Sequence, residues 1–266
     1  MDFFSATIYG ILQGLTEFLP VSSSGHLALL PHVLSIKDPG VVFDLAMHLG
    51  TALSIILYFR KDILLLWSQL LSFIKKDTTE KNYVAINMVF ATVVTVIAVL
   101  ILKGFAQSYG RSPIMIATNL AVFGLFMILA DIFFKDEEKG LMEAPQWGRA
   151  ALIGLFQGLA IFPGVSRSGA TLTISRAIGL GREEATRFSF LLSLPLILAG
   201  FFYKLPVLLS GKEAFSMGVC CYGIIVSFLI GLLTIHFFLK FIKKMGLWLF
   251  SLYRLILSCL ILLNVL

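Results

Sequence analysis

Apolar residues in this chain run in long blocks and do not alternate. Tyr83–Leu102, Ile114–Phe134, Phe188–Tyr203, Met217–Leu239 and Leu247–Leu266 are almost uninterrupted, and a further block covers 43–59. Such blocks predict helices that are apolar all round, and about 20 residues of this kind cross the hydrocarbon core of a bilayer. The segment Ile63–Ile74 is too short to span comfortably and predicts a helix lying tilted or at the interface. Polar stretches at Arg60–Asp62, Lys75–Asn82, Lys135–Pro145, Gly181–Thr186, Ser210–Glu213 and Lys240–Met245 predict the loops between blocks.

Two places break this rhythm, and they break it in the same way. Gln13-Gly14-Leu15-Thr16-Glu17-Phe18-Leu19-Pro20-Val21-Ser22-Ser23-Ser24-Gly25-His26 aligns without a gap on Gln157-Gly158-Leu159-Ala160-Ile161-Phe162-Pro163-Gly164-Val165-Ser166-Arg167-Ser168-Gly169-Ala170. Gln, Gly, Leu, Phe, Val, Ser, Ser and Gly recur in place, and Gly10 and Gly154 extend the match upstream. An internal repeat of this length predicts one membrane domain over 1–266 built from two related halves, 1–146 and 147–266. Each half opens with a polar hairpin, about 3–34 in the first and about 147–180 in the second.

Basic residues suggest how the halves are related. Lys75, Lys76, Lys81, Lys135, Lys139, Arg149, Lys240, Lys243 and Lys244 flank the apolar blocks, the bias expected of loops on the cytoplasmic side. On that assignment the first hairpin enters and leaves from outside and the second from inside. The expected fold class is therefore an all-α polytopic integral membrane protein. Its inverted-topology repeats each carry a re-entrant helical hairpin, with about six membrane-spanning helices besides.

Composition agrees: 58% of the 266 residues are hydrophobic, 14% are charged and the mean hydropathy is +0.94. A soluble domain carries about 25% charged residues, so a soluble reading is excluded. The formal charge of +6 does not predict nucleic-acid binding, because the basic residues stand singly or in pairs between apolar blocks. The N-terminus lacks a basic region and a small-residue cleavage site, so no cleavable signal peptide is expected. Cys220, Cys221 and Cys259 sit in apolar spans without metal-ligand spacing and are expected to be small packing residues.

The candidate chemistry lies in the hairpins. Pro20, Pro163 and Gly164 break the first arms, and each break is followed by a serine-rich turn opening a second helix. The turns Ser22-Ser23-Ser24-Gly25 and Ser166-Arg167-Ser168-Gly169 offer hydroxyls and free N–H groups at a helix N-terminus, which suits phosphate. Helix capping by serine is the plainer role for either turn alone. Their recurrence points to function.

Glu17 lies in an apolar arm, where a charge costs at least about 2.5–3.5 kcal/mol. Its place one turn before the serines favours a metal ligand or general base over a neutral, hydrogen-bonded carboxyl. Gln13, one turn earlier on the same face, can orient Glu17 or offer a carbonyl to a metal, but cannot act as a base. Arg167 replaces the middle serine of the other turn, and its planar fork suits the oxygens of a phosphate. His26 follows the first turn and is placed either to donate a proton to a leaving oxygen or to make a structural hydrogen bond. Asp44 and His48 share a helix face, pair with each other on this reading, and rank below the hairpins. The whole set predicts phosphoryl chemistry, or handling of a phosphate anion, on a membrane-resident molecule.

These two motifs resemble the signatures of the bacterial undecaprenyl-diphosphate phosphatases, the bacitracin-resistance family. The resemblance also takes in Phe43-Asp44…His48-Leu49-Gly50-Thr51 and covers essentially the whole chain. It implies hydrolysis of the C55 isoprenyl diphosphate to undecaprenyl phosphate and inorganic phosphate in the bacterial cytoplasmic membrane, recycling the carrier lipid for peptidoglycan synthesis. It further implies that Glu17 is the catalytic acid residue and Arg167 the diphosphate clamp. His26 and Ser23 would join them in catalysis, with Gln13, Ser22, Ser24, Gly25, Ser166, Ser168, Gly169 and Thr171 binding substrate. A divalent cation on Glu17 is expected, Mg²⁺ first and Ca²⁺ second. The site is expected to open to the outer, periplasmic face, bacitracin to compete by sequestering the substrate, and the resemblance leaves room for a homodimer. Some members carry Glu where this chain has Gln13, which places more weight on Glu17.

A secondary transporter or flippase of a phosphorylated lipid or anion is the alternative, since inverted repeats with broken helices are transporter architecture. It would need the anion site but not an acid and a histidine beside it. An intramembrane serine protease fits less well, because Arg167 beside the serines favours phosphate over peptide. A phosphatidic-acid-type phosphatase would need a second histidine after the arginine, and the only later one is His236.

Overall fold

The computed structural model describes residues 2–34, 38–75, 83–109, 112–134, 146–209 and 215–265. The elements are α1 (Phe3–Thr16), α2 (Ser23–Leu34), α3 (Val41–Tyr58), α4 (Arg60–Ile74), α5 (Val84–Tyr109), α6 (Pro113–Phe133), α7 (Trp147–Leu159), α8 (Arg167–Ala177), α9 (Arg182–Leu209), α10 (Met217–Met245) and α11 (Trp248–Val265). No strand occurs among the described residues. Five of these helices, α3, α5, α6, α9 and α10, are long and apolar enough to cross a membrane, and α11 is a shorter apolar helix. The protein is thus an all-helical, polytopic membrane protein. Side chains such as Ile101, Phe133, Leu233 and Leu260 point away from the protein, as a lipid-facing surface requires.

The two polar segments form short helix pairs. The arms α1 and α2 have 14 and 12 residues, and α7 and α8 have 13 and 11. At 1.5 Å per residue, none exceeds about 21 Å, well short of a hydrocarbon core of about 30 Å.

Each pair is held by the other half of the chain. Helix α1 packs along α10, and its counterpart α7 packs along α5. The same glycines make both contacts possible. A Cβ on Gly14 would lie 2.8 Å from Ile230 Cβ, and one on Gly158 would lie 2.5 Å from Ala98 Cβ. One turn earlier, Gly10 and Gly154 meet the carbonyls of Gly223 and Ala91. Small residues four apart let helix backbones approach closely in lipid, where association depends on packing. This exchange puts both hairpins between the halves. Helices α3 and α9 close one side, and α6 and α11 pack together on the other. Between α3, α9 and α10 the core is aromatic: Phe18 meets Phe190 edge-on at 5.1 Å, and Phe190 lies 6.3 Å from Phe59.

Three charged stretches expected as loops belong instead to helix ends. Arg60–Asp62 opens α4, Arg182–Thr186 opens α9, and Lys240–Met245 closes α10. The charges explain the difference. Asp62, Glu183 and Glu184 occupy first turns, and Lys243 and Lys244 occupy a last turn, where each sign complements the helix dipole. Asp62 also pairs with Arg187 at 2.5 Å, tying α4 to α9. Lys76, Lys81, Lys135 and Lys139, which bear on the sidedness of the hairpins, lie outside the described residues.

Asp131 near the end of α6 ties four elements together. It accepts from Arg176 Nε at 3.2 Å, from Arg182 Nε and Nη2 at 2.8 and 3.0 Å, and from the Leu247 amide at 2.9 Å. Of the cysteines, only Cys220 is buried in the packing; Cys221 and Cys259 are exposed.

Candidate active site

Each hairpin turns on a serine in a backbone conformation that L-residues avoid. Ser22 has φ 77° and Ser166, its counterpart, has φ 69°; no other non-glycine residue with positive φ occurs among the described residues. Such a residue costs on the order of 1–3 kcal/mol and persists where its surroundings hold it. Here the serine hydroxyl helps to hold it. Ser22 Oγ accepts from the Gly25 amide at 3.3 Å, and Ser166 Oγ accepts from the Gly169 amide at 3.0 Å. Each turn thereby caps its own helix and aims the first residues of α2 and α8 into one shared cavity.

That cavity has a volume of about 330 Å³. Ser23 and Ser24 enter it from α2, and Ser166, Arg167 and Ser168 from the start of α8. Glu17, His48 and Gln157 complete its polar wall, while Leu45, Val99, Leu196 and Ile197 contribute apolar surface.

Glu17 is its centre and is 5% exposed. Its Oε2 accepts from Ser23 Oγ at 2.8 Å and from Gln13 Nε2 at 2.9 Å, and it lies 3.3 Å from His48 Nε2. Its Oε1 is ion-paired with Arg167 Nη2, across the boundary between the two halves. Arg167 also donates from Nη1 to the carbonyl of Ser193 at 3.0 Å, which anchors the guanidinium against α9. A second link joins the hairpins directly: Ser168 Oγ donates to the Leu19 carbonyl at 3.1 Å.

The breaks themselves are clamped by Arg254 of α11, whose side chain is fully buried. Its guanidinium donates to five main-chain carbonyls, those of Pro20 at 3.1 Å, Gly164 at 2.9 Å, Val165 at 3.0 Å, Asn119 at 3.3 Å and Leu120 at 3.2 Å. The first arms end earlier than the prolines suggest, at Thr16 and Leu159, and Pro20 and Gly164 lie in the turns that follow, so one side chain satisfies carbonyls of both breaks. Sequence reasoning missed this residue. Its only local signal is a lone arginine inside an apolar block, and such a residue marks a buried polar task.

Several residues expected at the site are elsewhere. His26 faces away from the cavity: its Nδ1 lies 2.8 Å from the Ser22 carbonyl and its Nε2 2.7 Å from Tyr253 Oη, with the rings stacked at 5.7 Å. Of its two expected roles, this geometry is the structural one. The His26 ring is held there by Tyr253 of α11. Thr171 is fully buried and bonded to Ser189 Oγ at 2.5 Å, not lining the cavity. Ser22 is committed to its cap. Gly25 and Gly169 serve close packing, since a Cβ on Gly169 would lie 2.7 Å from Arg254 Nη1. Gln13 stands behind Glu17 and orients it.

His48 replaces His26 beside the carboxylate. Its Nδ1 lies 2.7 Å from the Asp44 main-chain carbonyl, which leaves Nε2 for Glu17. A separate cavity of about 270 Å³ beside α4, α5 and α9 has no serine turn, and its Arg187 is matched by Asp62.

The site can be tested for a divalent cation on its donors. No group of three or more His, Cys, Asp or Glu residues that could hold a metal occurs among the described residues. Mg²⁺ does not require one, because it is usually held by one or two carboxylates with substrate phosphates and water filling the rest. Glu17 supplies one carboxylate. Beside it, Gln13 Oε1 is buried without a hydrogen-bond partner. An orphaned carbonyl oxygen next to a carboxylate fits a hard cation.

The fold and this arrangement define a class: a multi-pass helical membrane protein whose buried carboxylate, hydroxyls and guanidinium converge between two helix N-termini, equipment for phosphate chemistry in the membrane. The family model described as bacitracin resistance protein BacA matches residues 6–260, and the chain belongs to that family. The family is that of the undecaprenyl-diphosphate phosphatases, and the chain is accordingly a membrane-bound phosphatase acting on a polyprenyl diphosphate lipid and conferring bacitracin resistance. The transporter alternative gains no support from the match.

Proposed function

We propose that Glu17, Ser23 and Arg167 carry the hydrolysis, and the observation behind this is the 2.8 Å hydrogen bond from Ser23 Oγ to Glu17 Oε2. A serine is a weak nucleophile until a base takes its proton, and here the base is already in place. Arg167 and the N-terminal amides of α2 and α8 bind the diphosphate and offset the charge that develops on the transferring group. Ser23 Oγ forms a bond to the terminal phosphorus as its proton passes to Glu17. The bridging P–O bond breaks, and its electron pair leaves on the undecaprenyl phosphate. Water then attacks the phosphoserine, Ser23 recovers its proton from Glu17, and inorganic phosphate departs with one proton released to solvent. Gln13 and the carbonyl of Ser193 hold the carboxylate and the guanidinium in register.

Glu17 and Gln13 Oε1 are the groups that would hold Mg²⁺. When bound, the cation would neutralise phosphate oxygens. On this reading the cavity opens to the outer face, and bacitracin acts by sequestering the lipid before it enters.

The test is phosphate release from a polyprenyl diphosphate by purified protein in detergent with Mg²⁺, comparing wild type with Glu17→Gln, Ser23→Ala and Arg167→Lys. Loss in all three with folding intact supports the assignment, and acid-quenched protein should carry phosphate on Ser23. Ser23→Ala protein that retains wild-type turnover would remove the serine from the chemistry and leave water as the nucleophile. Removal of divalent cations by a chelator should abolish release, and turnover that survives it would rule out the cation.

A further inference from the structure

Beside the active-site cavity lies a larger chamber of about 620 Å³, which shares Ser24, Leu45, His48 and Ile161 with it. Its lining includes two lysines from different halves of the chain, Lys103 on α5 and Lys204 on α9. Neither belongs to a charged cluster in sequence: Lys103 follows Val99-Leu100-Ile101-Leu102, and Lys204 follows Phe201-Phe202-Tyr203. A lysine at such a position commonly runs its stem along apolar surface to reach the interface. Two from separate helices lining one chamber, itself contiguous with a phosphate site, are not accounted for that way. Among the described residues neither is paired with a carboxylate, and the Lys204 ammonium lies 5.5 Å from the Tyr203 ring. Gln107, one turn beyond Lys103, adds a donor to the same lining. The opposing charge in the chamber is Asp44, so the balance of formal charge is positive.

We propose that this chamber is a second phosphate-binding site, an antechamber in which Lys103 and Lys204 hold phosphate oxyanions between solvent and Arg167. The inference rests on the phosphatase activity and adds to it a site outside the catalytic cavity. Two anions have the required chemistry: the diphosphate head of the incoming lipid and the inorganic phosphate that leaves. Lysine suits this task better than arginine. Its ammonium is a mobile point charge that holds phosphate without the fixed fork of a bidentate clamp, so the anion can be passed on. Fields from like charges in a cleft also raise the local concentration of the opposite ion, an effect that salt weakens.

The experiment compares wild type with the Lys103→Gln/Lys204→Gln double variant in detergent, at low and high ionic strength. It measures KM for a polyprenyl diphosphate, kcat, and the inhibition constant for inorganic phosphate, with sulfate as a control anion. The double variant should raise KM and the phosphate inhibition constant about five- to tenfold at low salt while kcat stays within about twofold, and the difference should shrink at high salt. A rise in KM alone would assign the chamber to the lipid head, and a rise in the inhibition constant alone to free phosphate; either supports the site. Unchanged values for both would overturn it. Lys103→Arg/Lys204→Arg, which keeps the charge but not the mobile ammonium, should show a smaller rise than the glutamine pair, and a rise as large as theirs in a folded protein would count against an electrostatic role. A wild type that releases no phosphate would overturn the phosphatase activity itself and the antechamber with it.

Discussion

The two hairpins share a backbone and divide the chemistry. Ser22 and Ser166 both hold a positive φ, cap their helices through the same hydroxyl bond and precede residues that enter the same cavity. At the reacting positions they part. The first hairpin has Glu17 and Ser23 where the second has Ile161 and Arg167. The carboxylate and the serine hydroxyl bonded to it come from one copy, and the guanidinium from the other. A buried acid or a buried guanidinium alone is costly in lipid. Paired across the boundary between the halves, each satisfies the other. The site therefore requires both halves, and the exchange of α1 onto α10 and α7 onto α5 aligns them.

If the halves divide the chemistry in this way, removing either side should be equally fatal. Glu17→Gln and Arg167→Ala should each lower kcat/KM by at least about a thousandfold in a phosphate-release assay. Arg167→Lys should recover little of this, because an ammonium cannot reproduce the planar fork. A variant of either residue with near-normal turnover would break the comparison.

A large effect on folding is expected at Arg254, which serves both hairpins at once. Arg254→Met would strand five carbonyls and should cost at least about 3 kcal/mol of stability, read as a lower melting temperature of the detergent-solubilised protein. The glycine contacts come next. Gly14→Val and Gly158→Val should each destabilise by about 1–3 kcal/mol, by similar amounts because the two helix contacts are equivalent. Unequal losses would show that one exchange carries more of the assembly.

The smallest effects sharpen the remaining asymmetry between the copies. His26 has Ala170 as its counterpart and bonds to Tyr253 outside the cavity. Tyr253→Phe should therefore reproduce most of the effect of His26→Gln on both turnover and melting temperature, a loss of a few fold. A much larger loss for His26→Gln alone would return the imidazole to the chemistry. Gln13→Glu is expected to change turnover by less than about tenfold while tightening the response to Mg²⁺, since a second carboxylate suits a hard cation.

Much of this was legible along the chain. The apolar blocks predicted the spans, and the constant spacing between the two motifs predicted a duplicated hairpin with a serine turn. Glu17 and Arg167 stood out because a charge in an apolar arm, or an arginine among serines at a helix start, demands a purpose; Ser23 was singled out from its fellow serines only by the family resemblance. The charged helix ends were misread as loops, because residues that complement a helix dipole have the same composition as a loop.

What the sequence determined by itself was local: which segments are apolar, where the helices break, and which residue types sit at the breaks. These depend on spacing within a turn or two, and a linear reading captures them. Only the tertiary structure decided that Glu17 faces Arg167, that His48 and not His26 stands beside the carboxylate, that Arg254 clamps both breaks, and that Lys103 and Lys204 share one chamber. Each of those facts joins segments far apart in the chain, through the direction in which a helix presents a side chain once it is packed. Periodicity specifies the faces of a helix; the neighbouring helix decides which face becomes the site.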